Sequence, residues 1–127
     1  MGRAILADLD DDALAAWMKG QTFRAYTPQT LHTVSALKAE LARVRKQGYA
    51  LVSRELEHGL CSIAVPIRAA DGSTVAALNV GMPYSEDAPK RAMKEILPAL
   101  RETQAAVQQA IARGGWLPQQ AIRGAYA

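Results

Sequence analysis

The sequence predicts an α+β domain, an antiparallel β-sheet flanked by helices. Two observations carry the expectation. From Gly48 to Gly81, apolar residues alternate with small or polar ones at a period of two. That is the period of a strand, whose successive side chains point to opposite faces. On either side of this stretch the apolar period lengthens to three and four residues, the period of an amphipathic helix.

Taken in order, residues 1–7 read as the end of a helix. Asp8, Asp10, Asp11 and Asp12 form an acidic cluster suited to a helix N-terminus, where the helix dipole favours negative charge. Asp10 or Asp11 caps a short helix from Asp12 to Met18, and Gly20 stops it. Residues 21–26 read as a connector. Thr27-Pro28 then opens a longer helix, with Thr27 as cap and Pro28 in the first position. Its apolar stripe is Leu31, Val34, Leu37, Leu41 and Val44, and it runs from Pro28 to Lys46 before Gly48.

Strands follow over Ala50–Val52, Leu60–Arg68 and Val75–Gly81, the last two joined by a turn at Asp71-Gly72. Cys61, Ile63, Val65 and Ile67 share one face of the middle strand; Leu60, Ser62, Ala64 and Pro66 share the other. In the third strand Ala76, Leu78 and Val80 oppose Val75, Ala77, Asn79 and Gly81. One face is thus bulky and suited to a core. The other is small and slightly polar, which fits a small-molecule pocket or close packing under a helix. A final helix spans Asp87–Ala112, with an apolar face of Met93, Ile96, Leu97, Leu100, Val107 and Ile111. Pro98 lies inside it, removes a backbone donor and crowds the Lys94 carbonyl, so a kink is expected there. The last residues have no period and are expected to fray or dock through Trp116 and Leu117.

Composition narrows the function classes. The chain has 127 residues, enough for one domain, and half are hydrophobic, enough for a core. The net charge of +3 and the absence of a long Lys/Arg run do not point to nucleic acid. The single cysteine leaves no internal disulfide framework and fits a cytoplasmic location. No apolar run approaches the ~18 residues that span a bilayer, and no secretory signal is expected.

Candidate chemistry is sparse. His58 and Cys61 invite a nucleophile reading, but a separation of three puts them on opposite faces of a strand. A buried thiol and a surface histidine are expected instead. His32, His58 and Cys61 lack the paired spacing of zinc ligands, and the aspartates lack the ordered spacing of a calcium loop. No metal and no cofactor are expected. Arg43, Arg45 and Lys46 complement a helix C-terminus and are expected to stay solvated.

The run GYALVSRELEHGLCSIAVPIRAADGSTVAALNVG is similar to a segment of the effector-binding domain of the IclR family of bacterial transcription regulators. It is nearest to the branch that responds to aromatic acids such as protocatechuate and 4-hydroxybenzoate. MGRAILADLDDDALAAW and LKAELARVRKQGYALV resemble the helices before that segment. The resemblance implies a GAF-like (profilin-like) domain over residues 1–113, incomplete at its N-terminus, with a tail over residues 114–127. It implies a sensor rather than an enzyme. A small organic acid would control DNA binding through a winged helix-turn-helix domain that this chain lacks. The expected state is a homodimer or higher oligomer. The effector-binding residues it implies are Met1, Gly2, Val52, Leu60, Ser62, Asn79 and Gly81. Relatives usually carry Arg where this chain has Cys61; an Arg there pairs with a carboxylate in two-pronged fashion and Cys does not. The competing readings are a dimerisation module without ligand and an enzyme that uses Cys61.

Overall fold

The computed structural model describes residues 1–114, so most of the expected tail, with Trp116 and Leu117, lies outside the described residues. The elements are α1 (Gly2–Leu6), α2 (Asp11–Lys19), α3 (Val34–Gln47), β1 (Ala50–Ser53), β2 (Leu60–Arg68), β3 (Thr74–Pro83), α4 (Ala88–Arg91) and α5 (Leu97–Arg113). A π-helical turn, Ala92–Ile96, joins α4 to α5. The three strands form an antiparallel sheet in the order β1-β2-β3.

Local chemistry explains most boundaries. The Asp10 carboxylate accepts from the Ala13 N–H at 2.7 Å and caps α2. Such a cap stabilises a helix by about 1 kcal/mol. Gly48 ends α3 at φ 80°, a left-handed position that glycine occupies without a Cβ penalty. Gly72 turns the β2–β3 hairpin at φ 84°, while Asp71 Oδ1 accepts from the Ser73 N–H and hydroxyl.

One predicted start is overturned. α3 begins at Val34 with Thr33 as its cap, not at Thr27-Pro28. The hydroxyls upstream are used for something else. Thr30 Oγ1 accepts from the N–H groups of Tyr26 and Thr27, and Thr27 Oγ1 accepts from the Gln29 N–H. The turn they close also reaches across the fold: Thr27 Oγ1 donates to the Arg54 carbonyl at 2.5 Å and Thr30 Oγ1 to the Glu55 carbonyl. Leu31 therefore precedes the helix, and Val34 is exposed, while Leu37, Leu41 and Val44 are buried as expected.

The disturbance expected at Pro98 takes the form of the π-helical turn just before it. Pro98 has no N–H to give the Lys94 carbonyl, and the wider turn, closed by Leu97 N–H on the Ala92 carbonyl, fits the ring in. Leu97 and Leu100 are buried below, but Val107 near the far end of the predicted stripe is exposed.

Both faces of the sheet are packed. Ile63 and Val65 of β2, with Leu78, Val80 and Met82 of β3, meet Ala92, Leu97 and Leu100. On the opposite face Ala50, Ala64 and Ala77 meet Ala4, Ala7, Leu14, Met18, Leu37, Leu41 and Val44 of α1–α3. The small-residue face is therefore, in this half, a helix-packing surface, because short side chains let α1 and α3 lie close. Each fully buried aliphatic side chain of β2 contributes about 1.5–3 kcal/mol. An exposed pair such as Arg91–Glu95, 3.5 Å apart, contributes far less.

Polar ties fix α1 on the sheet. Arg45 of α3 donates from Nε to the Ala7 carbonyl at 2.6 Å and from Nη2 to the Leu9 carbonyl at 2.8 Å. Contrary to the solvated role expected for it, Arg45 satisfies the end of a neighbouring helix. Asp8 accepts from Thr74 Oγ1 at 2.5 Å and from Arg68 Nη2 at 3.0 Å, so it joins the hairpin to α1 rather than capping a helix. Burial opposes ionisation of Asp8, yet the bonds from Thr74 and Arg68 outweigh it and hold the carboxyl below its usual 3.8. A depressed carboxyl adds stability above its unfolded pKa and loses it as pH falls through its folded value. Thermal melts of the natural chain and Asp8→Asn should thus show an advantage for the natural chain at neutral pH. That advantage should shrink as pH falls below 3.8 and vanish once pH has passed the depressed folded value; an advantage undiminished throughout acid would contradict the assignment.

Candidate functional site

Strand register decides which predicted site residues meet. Val52 stands opposite Ser62 and Ser62 opposite Gly81, making one row across the sheet. Ala50, Ala64 and Asn79 make the next row, and Leu60 stands opposite Pro83. Directly opposed residues of an antiparallel pair share a face. Val52, Leu60, Ser62, Asn79 and Gly81 accordingly lie on the same face, the one that packs α1. Asn79 sits diagonally from Ser62 rather than directly across from it. Ser62 is half-buried, and Asn79 and Gly81 are exposed. A Cβ at Gly81 would stand 3.8 Å from Leu60 Cδ1, so glycine keeps that spot open beside Leu60.

Met1 and Gly2 are exposed at the start of α1, and no atom lies within 4 Å of where a Gly2 Cβ would be. α1 packs on β2 and β3, which brings its N-terminus to the same side of the sheet as the rows above. Clefts occur on other surfaces too. A groove of about 470 Å³ runs between Val75 and Ala76 of β3 and Val107, Ala110 and Ile111 of α5. Another of about 280 Å³ lies at the β3–α4 junction by Tyr84, Arg91 and Ile96.

Cys61 belongs to the opposite face. It pairs with Ser53 and Met82, is fully buried, and interacts with the Ser53 hydroxyl. Burial pushes the thiol above its ordinary value, and the Ser53 bond offsets this only in part. His58 is exposed in the β1–β2 loop. A side chain at position 61 points away from the Ser62 face, so Cys61 does not shape that face. Among the described residues no group of three or more His, Cys, Asp or Glu side chains is disposed to hold a metal.

Sequence periodicity missed a polar cluster beside α1. The Arg3 guanidinium grips Glu55 with both Nη atoms and lies 3.7 Å from Glu40 Oε1. Arg43 pairs with Glu40 Oε2 at 2.5 Å. Glu40 is buried in α3, on the stripe between Leu37 and Leu41. The guanidiniums of Arg3 and Arg43 both face this buried side chain. Partners 52 positions apart leave no local signal; a charged residue interrupting an apolar stripe was the sole hint. The loop that Glu55 belongs to begins at Arg54, whose φ of 61° makes it the one non-glycine residue with a positive φ among those described. Its guanidinium lies 4.7 Å from the centroid of the Tyr84 ring.

The structure is a three-stranded antiparallel sheet between two helical layers, with a small-residue face under a short helix. Comparison with known proteins places it. Residues 1–109 match the model of the bacterial transcriptional regulator IclR C-terminal domain, and the chain belongs to that family. It is 48% identical over 80 residues to the Pca regulon regulatory protein of Pseudomonas putida, covering 63% of this chain and 28% of that protein. It is 33% identical over 102 residues to the p-hydroxybenzoate hydroxylase transcriptional activator of Acinetobacter baylyi, covering 80% of this chain and 38% of that one. The chain thus spans about a third of the length of these relatives, which are transcriptional regulators. Among solved structures, the inducer-binding domain of a PobR double mutant from Acinetobacter, in complex with 3-hydroxybenzoic acid, superposes with a TM-score of 0.79 at 31% identity. It covers 84% of this chain and 61% of that one. A transcriptional regulator from Rhodococcus gives 0.85 at 37% identity, covering 89% and 46%.

The buried, high-pKa thiol of Cys61 should react slowly. Iodoacetamide at neutral pH should alkylate the native chain far more slowly than the urea-unfolded chain. Equal rates would show that Cys61 is accessible and active.

Proposed function

We propose that this chain is an effector-sensing module that binds a small organic acid on the α1 face of its sheet, and that in the full-length regulator this binding controls attachment to DNA. The single observation that carries the proposal is the register. It gathers Val52, Leu60, Ser62, Asn79 and Gly81 on one face, with Met1 and Gly2 opening the helix above it. Support comes from the PobR inducer-binding domain, whose structure holds 3-hydroxybenzoic acid. The Ser62 hydroxyl donates or accepts and the Asn79 carboxamide does both, which suits a carboxyl or hydroxyl substituent. Gly81 leaves room beside Leu60 for an aromatic ring, and the aliphatic groups of Val52 and Leu60 would cover its faces. No step here calls for a catalyst, metal or cofactor.

Association fits the same proposal. Among the described residues β3 has a partner on one edge only, and an unpaired ten-residue strand offers a row of free N–H and C=O groups. We expect a homodimer or higher oligomer. Light scattering at concentrations on the order of tens of micromolar should show more than one chain per particle; a monomer throughout would count against it.

The binding site is tested by thermal shift with 3-hydroxybenzoate, 4-hydroxybenzoate and protocatechuate. A ligand that binds only the native state raises its stability. Ser62→Ala and Asn79→Ala should each weaken binding by ~0.5–1.5 kcal/mol while the unliganded melting point stays nearly constant. Full retention of affinity in both variants would remove the site from this face.

A further inference from the structure

We propose that Arg3 is the positioning residue of the effector face: its clamp on Glu55, with Glu40 behind, sets the N-terminal end of α1, and with it Met1 and Gly2. The inference rests on the effector reading above and names what holds one wall of that site. Its first ground is that this end of α1 cannot hold itself. The helix has five residues, too few to persist in isolation. Met1 supplies no side-chain cap, and the first turn is closed by backbone bonds alone, from the Ala4 and Ile5 N–H groups to the Met1 carbonyl at 2.9 and 3.4 Å. Met1 and Gly2 are exposed, so packing does little to locate them.

The second ground is an asymmetry of ties. The C-terminal end of α1 and the residues after it are held many times over: Arg45 binds the Ala7 and Leu9 carbonyls, and Asp8 binds Thr74 and Arg68. Residues 1–6 have side-chain hydrogen bonds through Arg3 only, among the described residues.

The third ground is the quality of that one tie. Both Nη atoms of Arg3 engage Glu55, one on each carboxylate oxygen, a fork that fixes orientation as well as distance. The two side chains are 14% and 15% exposed, so salt and water screen the pair little. Glu40 Oε1 is buried, accepts no hydrogen bond among the described residues, and has the Arg3 guanidinium 3.7 Å away. Withdrawal of Arg3 would strand this second carboxylate as well as Glu55. The far side of the clamp is itself anchored. The Glu55 carbonyl accepts from Thr30, the Arg54 carbonyl accepts from Thr27, and the Arg54 N–H donates to the Leu60 carbonyl on the edge of the effector face. With both Nη atoms committed to Glu55, Arg3 acts on the site through α1 and not by touching the acid.

The test compares the natural full chain with Arg3→Gln, Arg3→Lys, Glu55→Gln, the double variant Arg3→Gln/Glu55→Gln, and Arg45→Gln as a control at the other end of α1. Two quantities are read below the melting point of every variant: hydrogen–deuterium exchange of the α1 amides, and calorimetric affinity for 3-hydroxybenzoate. Arg3→Gln should speed exchange at Ala4–Leu6 about 10-fold or more, as loss of a charge-assisted bond implies. It should weaken the acid about 3–10-fold, because binding must then order a wall that the clamp had ordered beforehand. Glu55→Gln should act in the same direction, and the double variant should be no worse than Arg3→Gln, since both remove one interaction. Arg3→Lys should recover part of the loss, because an ammonium keeps the charge without the fork. Arg45→Gln should lower the melting point and leave affinity within about twofold. If Arg3→Gln does not fold, Glu55→Gln, which retains an amide oxygen for Arg3, carries the same readings. Faster exchange with unchanged affinity shows a purely structural clamp and overturns the assignment, and so does an equal loss of affinity in Arg45→Gln. Affinity weakened in Arg3→Gln but kept or raised in Glu55→Gln shows that Arg3 meets the acid itself, and likewise overturns it. In each of these cases the effector reading stands. A natural chain that binds none of 3-hydroxybenzoate, 4-hydroxybenzoate and protocatechuate overturns the effector reading and the Arg3 assignment together.

Discussion

The pairing of β2 with a neighbour on each side is the constraint on which the rest of the molecule depends. β2 is the only strand of the described sheet whose edges are both used, and from Ile63 to Ile67 every residue is buried. A strand buried on both faces must have both faces covered, and the alternation of side-chain size dictates how. Ile63 and Val65 are bulky and hold α5 at a distance filled by Leu97 and Leu100. Ala64 is small and lets the α1–α3 layer come close. The helices are placed by the sheet, not by their own propensity, and α1, five residues long, would not persist without it.

The two ends of the small face are consequently different environments. Towards the hairpin turn, Ala64 and Ala77 are packed against helices, and Asp8 ties Thr74 and Arg68 down. Towards the β1–β2 loop, Ser62 is half-buried, Gly81 is exposed, and Arg3 with Glu55 and Glu40 makes a polar border. A pocket for an organic acid requires this contrast, because apolar packing fixes the walls and only a few convergent polar groups choose the ligand. Membership of the IclR C-terminal family agrees with an effector-binding role.

The β1–β2 loop is the place where several independent parts of the chain meet. Thr27 and Thr30 hold its carbonyls, Arg3 holds Glu55, and Gly59 accepts from the Tyr84 N–H at 2.7 Å. None of these contacts belongs to one element alone. The Arg3–Glu55 pair ties α1 to this loop.

Period alone determined the strands to within a residue or two: Leu60–Arg68 as expected, and β3 longer by one residue at its start and two at its end. It also fixed which residues share a face, since parity in a strand is independent of what packs on it. Short-range chemistry likewise fixed the Gly48 stop and the Asp71-Gly72 turn, and narrowed the α2 cap to Asp10 or Asp11, of which the fold uses Asp10. The sequence did not settle where α3 begins. Thr27 and Thr33 are both acceptable caps, and the choice fell to Thr33 because Arg54 and Glu55, distant in the chain, engage Thr27 and Thr30. Nor did it settle whether small residues mean a pocket or a packed helix. Ala64 and Ser62 carry the same alternation signal, and only the placement of α1 and α3 covers one and leaves the other half open. Arg54 and Glu40 were silent for the same reason. Their environment is made by partners on other elements, and a pattern of one-dimensional spacings contains no term for charges that meet only when the chain has folded.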